Sequence, residues 1–415
     1  MQQTVLRLAL TLLVLGTWTA GAQTPYGWRR DGSGLFPEAS PPTKWNLATG
    51  ENVLWKTPMR SWSHASPILA GDRIFVQSEE TWLACLDKRT GKVLWERAND
   101  FDILGERGKG RTKPTNSFVK TCYGYTASTP VTDGQCVYAV FGHGVVVAYD
   151  MEGRLKWANT FDVENKQRSG IAQSQTLVGD VLLIGAAEKD AFAAFDKRTG
   201  KHLWSVPRGG MMRGKGSFQT VAIANVPYLL ASDGWLIDAS GKVVQRDLLG
   251  KNGKNYGPTP VVGQGVAFGS ELSGKRMVAT PIRPGQEPAP LWEKVVGAHD
   301  ARSPLYHDGL VYAVGERGAL RVLDAATGAD VYTKAGLPGG WTSMALAGPY
   351  IVWLGSEGGD AVLFKPGRRY DEVARFKHGF KNKGGPDNKL GCSPIFEGKR
   401  MYHRDAVALY CIGTR

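Results

Sequence analysis

The sequence predicts an all-β fold, an eight-bladed β-propeller built from four-stranded antiparallel blades. A twelve-residue phrase occurs twice almost letter for letter, at Ala84–Trp95 and at Ala193–Trp204. Weaker copies end at Trp157 and at Tyr332. The spacing between copies is about 40 to 45 residues, which is the length of one propeller blade. Repetition of this kind predicts the fold without predicting any chemistry.

Each copy of the phrase has the composition of a hairpin followed by a large buried ring. An Asp such as Asp87 accepts hydrogen bonds from nearby backbone N–H groups, and the Thr-Gly pair that follows supplies the positive φ of a tight turn. The next strand carries a Trp, which we expect to pack against the neighbouring blade. We therefore interpret the recurrent aspartates as turn residues: Asp87, Asp150, Asp196 and Asp324.

A second recurring element, often Ser-Pro or Thr-Pro, precedes each phrase and predicts the start of an inner strand. Proline is tolerated there because the first residue of a strand need not donate to the ladder. About eight units follow from this element. The predicted starts are Ser66, Thr129, Ser174, Thr220, Thr259, Ser303, Met344 and Ser393.

The last unit, Ser393–Cys411, ends before any Trp-bearing fourth strand. The missing strand has a counterpart at the other end of the chain, where Ala48–Trp55 contains a Thr-Gly turn and a Trp but no preceding strands. We expect this N-terminal strand to complete the last blade. Closure of the ring would remove the exposed sheet edges of an open array.

The first 22 residues have the pattern of a secretory signal peptide. The segment has one Arg, an apolar run from Leu6 to Leu15, and small residues at its end, Ala20–Ala22. No other segment approaches the roughly 18 apolar residues of a membrane span, and no Cys follows the signal for lipid attachment. We expect residues 23–415 to form a single domain that is periplasmic or secreted.

Five cysteines leave two interpretations open for an exported chain. Bridges between Cys392 and Cys411 and between Cys122 and Cys136 would use four of them and leave Cys85 over. Alternatively, most are small buried apolar residues. There is no Cys-x-x-Cys, which argues against covalently attached haem.

The formal net charge is +13, or about +12 once Arg7 is removed with the signal. Basic residues concentrate in the connectors between one blade's outer strand and the next blade's inner strand. In a propeller these connectors emerge on one face, here called the mouth. A positive mouth would attract anionic partners, whereas the alternative is a solvated basic face. Those connector residues are Arg107, Lys109, Arg111, Lys113, Lys120, Arg208, Arg213, Lys215, Lys251, Lys254, Lys377, Lys381, Lys383 and Lys389.

The residues just before each inner strand form the candidate binding site. We expect them to point into the mouth and to suit a flat or anionic ligand through stacking and charge-assisted hydrogen bonds. The alternative is that they cap the strand starts. They are Trp62, His64, Tyr125, Gln173, Gln219, Tyr256, Asp300, Arg302, Trp341 and Lys389. Motifs of metalloproteases, serine hydrolases and phosphate-binding loops are absent, so no catalytic residue and no metal ligand is predicted.

The repeated Ala-x-Asp-x-x-Thr-Gly-x-x-x-Trp, the Ser-Pro-x-x-x-Gly-Asp strand starts and the early Trp28–Gly34 segment resemble the secreted bacterial PQQ-like β-propeller repeat proteins. The resemblance covers almost all of the chain after the signal. It implies the propeller fold. That superfamily includes both pyrroloquinoline quinone dehydrogenases and cofactor-free scaffolds such as the outer-membrane assembly propeller, so the resemblance leaves the function open.

The sequence favours a non-catalytic binding scaffold with no cofactor. Its partner would be an anionic small molecule, a polymer or an envelope protein; we expect a monomer and no nucleic-acid partner. The alternative is a dehydrogenase that uses pyrroloquinoline quinone and calcium. The resemblance would then imply a quinone stacked on Trp341 or Trp62, quinone carboxylates paired with Arg302 or Lys389, and Asp300 as general base. The Cys-Cys pair of those enzymes is missing, and a basic mouth suits a hard cation poorly.

Overall fold

The eight predicted blades are present in the computed structural model. It describes residues 26–115, 124–161, 163, 173–185, 190–207, 216–250, 258–271, 275–297, 302–315, 318–355, 359–381 and 391–414. Within these residues, eight sheets of four antiparallel strands follow one another, and one sheet has a fifth, short strand. The predicted signal peptide lies outside the described residues.

The strands of each blade run from the inner to the outer edge in chain order, except in the last blade. Blade 1 consists of Ile68–Ala70, Arg73–Ser78, Trp82–Asp87 and Val93–Ala98, and blade 2 of Val131–Thr132, Cys136–Val140, Val145–Asp150 and Leu155–Thr160. Blade 3 consists of Thr176–Val178, Val181–Gly185, Asp190–Asp196 and His202–Pro207, and blade 4 of Gln219–Ile223, Val226–Leu230, Leu236–Asp238 and Val243–Gln245. Blade 5 consists of Val261–Gly263, Val266–Glu271, Arg276–Pro281 and Trp292–Val295. Blade 6 consists of Leu305–His307, Leu310–Val314, Leu320–Asp324 and Asp330–Lys334, and blade 7 of Ala345–Ala347, Tyr350–Leu354, Asp360–Lys365 and Asp371–Lys377.

Blade 8 closes the ring as predicted. Its three inner strands are Ile395–Glu397, Arg400–Arg404 and Ala408–Gly413, and its outer strand is the N-terminal Val53–Pro58. The outer strand pairs antiparallel with the strand beside it, and Trp55 stands opposite Cys411. Because the two ends of the chain share one sheet, the ring has no open blade edge between its first and last units.

The repeated phrase folds as predicted and also fixes the contact between blades. Asp87 Oδ1 accepts the backbone N–H and the hydroxyl of Thr90 at 2.7 and 2.6 Å, and these bonds hold the pKa of Asp87 below its usual range. Trp95 packs on Gly153 in the corresponding turn of blade 2, and its indole N–H donates to Met151 O at 2.9 Å. Equivalent pairs are Trp55–Gly91, Trp157–Gly200, Trp204–Gly241 and Trp292–Gly328.

The inner strands are joined around the central channel by a ring of hydroxyl groups. A Ser or Thr lies two residues before each strand, and its backbone N–H donates to the hydroxyl of the next member. Seven such bonds, 2.6 to 3.3 Å long, join described residues. The bond from Ser393 N to Ser66 Oγ links blade 8 to blade 1. The ring members are Ser66, Thr129, Ser174, Ser217, Thr259, Ser303, Ser343 and Ser393.

Two predicted positions of this element are therefore wrong, the first by three residues and the second by one. Ser217 and Ser343 occupy the positions predicted for Thr220 and Met344. Neither serine is followed by proline, so the Ser-Pro marker of the register is missing in both blades.

The N-terminal segment, residues 26–39, crosses the end of the channel opposite the mouth. Tyr26 pairs with Thr132 at the end of the inner strand of blade 2. Farther along, Leu35–Phe36 adds a short parallel strand to blade 7. Between these points Arg29, which is 1% exposed, donates to Met344 O at 2.9 Å and to Pro304 O at 3.3 Å. The segment thus closes one end of the channel.

The apolar core lies between neighbouring blades. One cluster, for example, joins Phe75 and Trp95 of blade 1 to Phe141 and Tyr149 of blade 2. The long connector after blade 1, which the sequence did not predict to be helical, forms a 3₁₀ helix at Phe101–Gly108. Within the described residues, no helix has the length and apolarity required to cross a membrane.

Cys392 and Cys411 are free thiols, so of the two interpretations left open for this pair the bridge is wrong and the small buried residues are present. Both are buried. The Cys392 thiol donates instead to Ser63 O at 3.1 Å and to Ala65 O at 3.3 Å, which places it against blade 1. Cys136 is a free thiol as well, so the alternative of a bridge between Cys122 and Cys136 is also wrong; Cys122 itself lies outside the described residues.

Candidate functional site

Three of the candidate residues form an aromatic trio at the mouth: Trp62, His64 and Trp341. The His64 ring lies edge-on to Trp62 with centroids 5.6 Å apart, and stacks on Trp341 at 6.2 Å with 25° between the ring planes. All three are half-buried. Because inner strands begin at the mouth and His64 and Trp341 each lie two residues before a ring serine, blades 1 and 7 present the trio there.

The segment leading into blade 8 contributes a backbone group beside the trio. The N–H of Gly391 donates to His64 Nδ1 at 3.3 Å. In the neutral imidazole that acceptor role places the proton on Nε2. The trio therefore combines apolar ring surface with an N–H donor on a half-buried histidine.

A buried arginine from blade 8 fixes the backbone that carries Trp62 and His64. Arg404, which has no exposed surface, donates through Nη1 to Ser63 O at 3.1 Å and through Nη2 to Ser61 O. The same Nη2 donates to Ser78 Oγ at 3.1 Å. Sequence reasoning missed Arg404, because the Arg400–Arg404 strand also contains Arg400 and His403, and nothing in this pattern marks the last arginine as buried.

Glu79 connects the trio to Tyr125. Its backbone N–H donates to Trp62 O at 2.9 Å, and its carboxylate accepts the N–H of Tyr125 at 2.9 Å and that of Thr126 at 2.8 Å. Burial raises the pKa of Glu79 to about 7, although the bonds from Thr126 and Tyr125 and the charge of Arg404 act in the opposite direction. Sequence reasoning did not find this residue either.

Tyr125 is half-buried beside the trio's supporting loop. Its hydroxyl donates to Pro114 O at 2.8 Å, and its ring meets the buried His143 edge-on at 5.9 Å. Lys113 Nζ lies 5.5 Å from the ring centroid. The hydroxyl of Tyr125 is thus engaged by the connector after blade 1.

Arg302, Gln173 and Gln219 are buried. Arg302 is 5% exposed and donates through Nη1 to Gly315 O at 3.1 Å and through Nε to Gly340 O. Gln173 donates to Ser232 Oγ at 3.5 Å, and Gln219 is the first residue of its strand. This geometry agrees with the alternative interpretation, in which such residues cap strand starts. Tyr256, Asp300 and Lys389 lie outside the described residues.

Several connector lysines have carboxylate partners. Lys113 contacts Asp100 at 2.6 Å and Glu80 at 3.1 Å. Two more pairs are Lys109 with Glu106 and Lys377 with Asp360, each at 2.7 Å. These pairs lower the local positive potential. Many connector residues lie outside the described part: Lys120, Arg208, Arg213, Lys215, Lys251, Lys254, Lys383 and Lys389.

The described residues do not assemble the alternative quinone and calcium site, of which Asp300 and Lys389 lie outside the described part of the chain. Arg302 is buried and bonded to backbone carbonyls, so pairing with quinone carboxylates would require it to leave them. Trp341 already stacks on His64. Among the described residues, no three His, Cys, Asp or Glu side chains form a group able to hold a metal ion.

Repeated blades, the closing N-terminal strand and the tryptophan–glycine contacts define a PQQ-like β-propeller repeat protein. The chain belongs to the family described as outer membrane protein assembly factor BamB, whose model matches residues 43–122 and 109–334. The outer membrane protein assembly factor BamB of Vibrio cholerae serotype O1 is 23% identical over 236 residues, which are 51% of this chain and 58% of that protein.

Solved structures share the fold at low identity. A europium-containing methanol dehydrogenase is 13% identical with a TM-score of 0.61, and covers 91% of this chain and 89% of its own. The quinohemoprotein alcohol dehydrogenase of Comamonas testosteroni is 14% identical with a TM-score of 0.57, covering 91% of this chain and 79% of its own. At such identity the likeness shows the fold alone.

Proposed function

We propose that this protein is a non-catalytic scaffold of the bacterial cell envelope that binds a protein through its mouth. The observation that carries the proposal is the half-buried aromatic trio of Trp62, His64 and Trp341, in which Arg404 holds the loop of Trp62 and His64. The chain belongs to the family described as outer membrane protein assembly factor BamB, which supports a protein as the partner. The signal peptide predicted at residues 1–22 supports export.

The trio has the properties of an interface anchor. Binding energy in protein interfaces concentrates in a few residues, Trp and Tyr prominent among them, that occupy well-packed positions. Trp62 and Trp341 provide such rings on two different blades, with His64 between them. Because Arg404 fixes the Ser61–Ser63 backbone, little conformational entropy of this loop remains to be lost on binding.

Basic connectors around the trio would favour an acidic surface on the partner. The formal charge of +13 supports this part of the proposal, and screening at about 0.15 M salt limits it to a range of roughly 8 Å. Binding should therefore weaken as salt is added. The residues proposed to contribute are basic connector residues such as Arg213 and Lys215, which lie outside the described residues.

The test is site-specific photo-crosslinking in the envelope of the native host. A photoreactive amino acid replaces Trp62 in one variant and Leu203 in another; Leu203 is 44% exposed on the outer strand of blade 3 and serves as the surface control. We expect one protein to crosslink at position 62 alone. Its capture should be lost when Trp341→Ala is added, and mass spectrometry identifies it.

Two results would overturn the proposal. Equal crosslinking at positions 62 and 203 would remove the mouth as the binding site. Submicromolar binding of pyrroloquinoline quinone with Ca²⁺ in calorimetric titration, lost in His64→Ala, would contradict the non-catalytic role. In that case dye-linked oxidation of alcohols and aldehydes becomes the assay of choice.

A further inference from the structure

An exposed arginine lies on the mouth beside the aromatic trio. Arg60 follows the outer strand of blade 8 and precedes Trp62 by two residues, so at most about 7 Å separates the two Cα atoms. The Arg60 side chain is 49% exposed. A protein bound on Trp62 would therefore come within reach of this arginine.

Two residues of blade 1 hold the Arg60 guanidinium in one orientation. Its Cζ lies over the Trp82 ring, 3.9 Å from the ring centroid, and its Nε donates to Glu96 Oε2 at 3.0 Å. Within the described part of the chain, Nη1 and Nη2 form no hydrogen bond. The stacked arginine thus offers a pair of N–H donors whose spacing matches the two oxygens of a carboxylate.

The surface next to Arg60 is apolar and exposed. Val407, which is 42% exposed, lies in the turn between the second and third strands of blade 8, and this turn is at the mouth. Its carbonyl accepts the backbone N–H of Met59 at 2.9 Å, so Val407 adjoins the connector that carries Arg60. Tryptophan and arginine anchors with apolar neighbours are typical of protein interfaces.

We propose that Arg60 binds an aspartate or glutamate of the mouth's protein partner, in a polypeptide segment that also covers Val407. This inference rests on the proposed function and deepens it, because it names a residue that recognises the partner's acidic surface. Glu96 occupies one edge of the guanidinium, so the partner's carboxylate would bind at Nη1 and Nη2. The segment would run outward from the trio across the junction of blades 8 and 1.

Arg246 provides a matched control on the other side of the mouth. It follows the outer strand of blade 4, and blades 4 and 8 stand opposite each other in a ring of eight. Its side chain is exposed, and its Cζ lies over Trp235, 4.2 Å from the ring centroid. Arg60 and Arg246 therefore share charge, exposure and stacking on a tryptophan, but only Arg60 adjoins the trio.

The probe is a phage-displayed library of random peptides, selected on the immobilised full mature chain. Parallel selections use Arg60→Gln, Arg246→Gln and Trp341→Ala, and thermal unfolding shows that each variant is folded. We expect wild type and Arg246→Gln to enrich the same peptides, with Asp or Glu beside an apolar residue. Arg60→Gln should lose the preference for Asp and Glu, and Trp341→Ala should lose the peptides altogether.

The affinities of the enriched peptides, measured by fluorescence polarisation, provide a second readout. Arg60→Gln should weaken binding about 10-fold, the effect of losing a hydrogen-bonded charge. Glu96→Gln keeps an acceptor for Arg60 Nε but removes a negative charge that would repel the peptide's carboxylate. Binding to this variant should therefore strengthen about 2- to 5-fold, a change that a merely structural role of Arg60 would not produce.

The possible failures of this inference and of the proposed function can be told apart. Equal binding of acidic peptides to wild type and Arg60→Gln, with binding still lost in Trp341→Ala, overturns the inference and leaves the proposed function standing. Weaker binding to Arg60→Gln without stronger binding to Glu96→Gln would show that Arg60 meets a neutral acceptor, so the carboxylate would be wrong. Peptides that bind independently of Trp341 would contradict the proposed function, and the absence of any enriched peptide would contradict the inferred polypeptide segment.

Discussion

Arg404 Nη1 lies 3.1 Å from Ser63 O, a bond between blade 8 and the loop of blade 1 that presents Trp62 and His64. The two residues are 341 positions apart in the chain. Because the bond also spans the junction at which the ring closes, one side chain supports both the architecture and the candidate binding surface.

Replacement of Arg404 by Met should destabilise the protein by about 3 kcal/mol. The variant leaves Ser61 O and Ser63 O without their charged donor, and hydrogen bonds to charged groups contribute about 1.5 to 3 kcal/mol each. Urea denaturation measures the change. Arg404→Lys keeps the charge but not the bidentate geometry of the guanidinium, so its free energy of unfolding should lie between those of wild type and the Met variant. Stability of the Met variant equal to wild type would show that the ring closes without this residue.

Trp95→Ala should cost about 3 to 5 kcal/mol, since it removes a large ring from between two blades. Trp95 is 8% exposed, and its ring centroid lies 5.7 Å from that of Tyr149 in blade 2. Its indole N–H donates to Met151 O. The neighbouring Leu94 is 42% exposed, so Leu94→Ala should stay within about 0.5 kcal/mol of wild type. The two free energies of unfolding are compared by chemical denaturation. Equal losses would contradict the packing role of the tryptophan.

The sequence predicted what is encoded within a few residues and missed what depends on distant partners. The turn at Asp87 and Thr90 needs four consecutive residues, so its phrase could be recognised wherever it recurs. Arg404 and Glu79 are different, because their roles depend on carbonyl and N–H groups from other blades. No local pattern states which backbone groups a buried charge will meet.

The same reasoning explains the candidate site. His64 and Trp341 could be predicted as neighbours of strand starts, but their stacking required the ring to bring blade 7 near blade 1. Arg302 is the opposite case. Its charge suggested a ligand contact, whereas its backbone partners Gly315 and Gly340 became apparent only in three dimensions.

Gly153→Ala should destabilise the protein more than Gly179→Ala. Both glycines have positive φ, +78° and +57°, so both substitutions carry the strain of a left-handed alanine, roughly 1 kcal/mol. At Gly153 a Cβ would also lie 2.7 Å from the Trp95 ring, whereas at Gly179 it would meet nothing within 4 Å. The difference in unfolding free energy therefore measures the blade contact, and a difference near zero would show that Trp95 shifts without cost.

Acid should destabilise the protein through His403. This histidine is 1% exposed, its ring lies 4.4 Å from that of Phe380, and neither ring nitrogen has a hydrogen-bond partner among the described residues. Burial lowers the pKa of His403 to about 3, with the charges of His378 and Arg404 acting in the same direction. In the unfolded chain the pKa returns to about 6.5.

The sign of the pH effect follows from these two pKa values. Between pH 6.5 and pH 3 the unfolded state binds a proton at His403 that the folded state does not, so stability falls as the pH falls through this range. At pH 4.5 the loss relative to pH 7.5 should be about 2 to 3 kcal/mol from this residue. His403→Leu, similar in volume and without a titrating group, should reduce the slope of unfolding free energy against pH accordingly. An unchanged slope would mean that His403 is protonated, or hydrated, inside the fold.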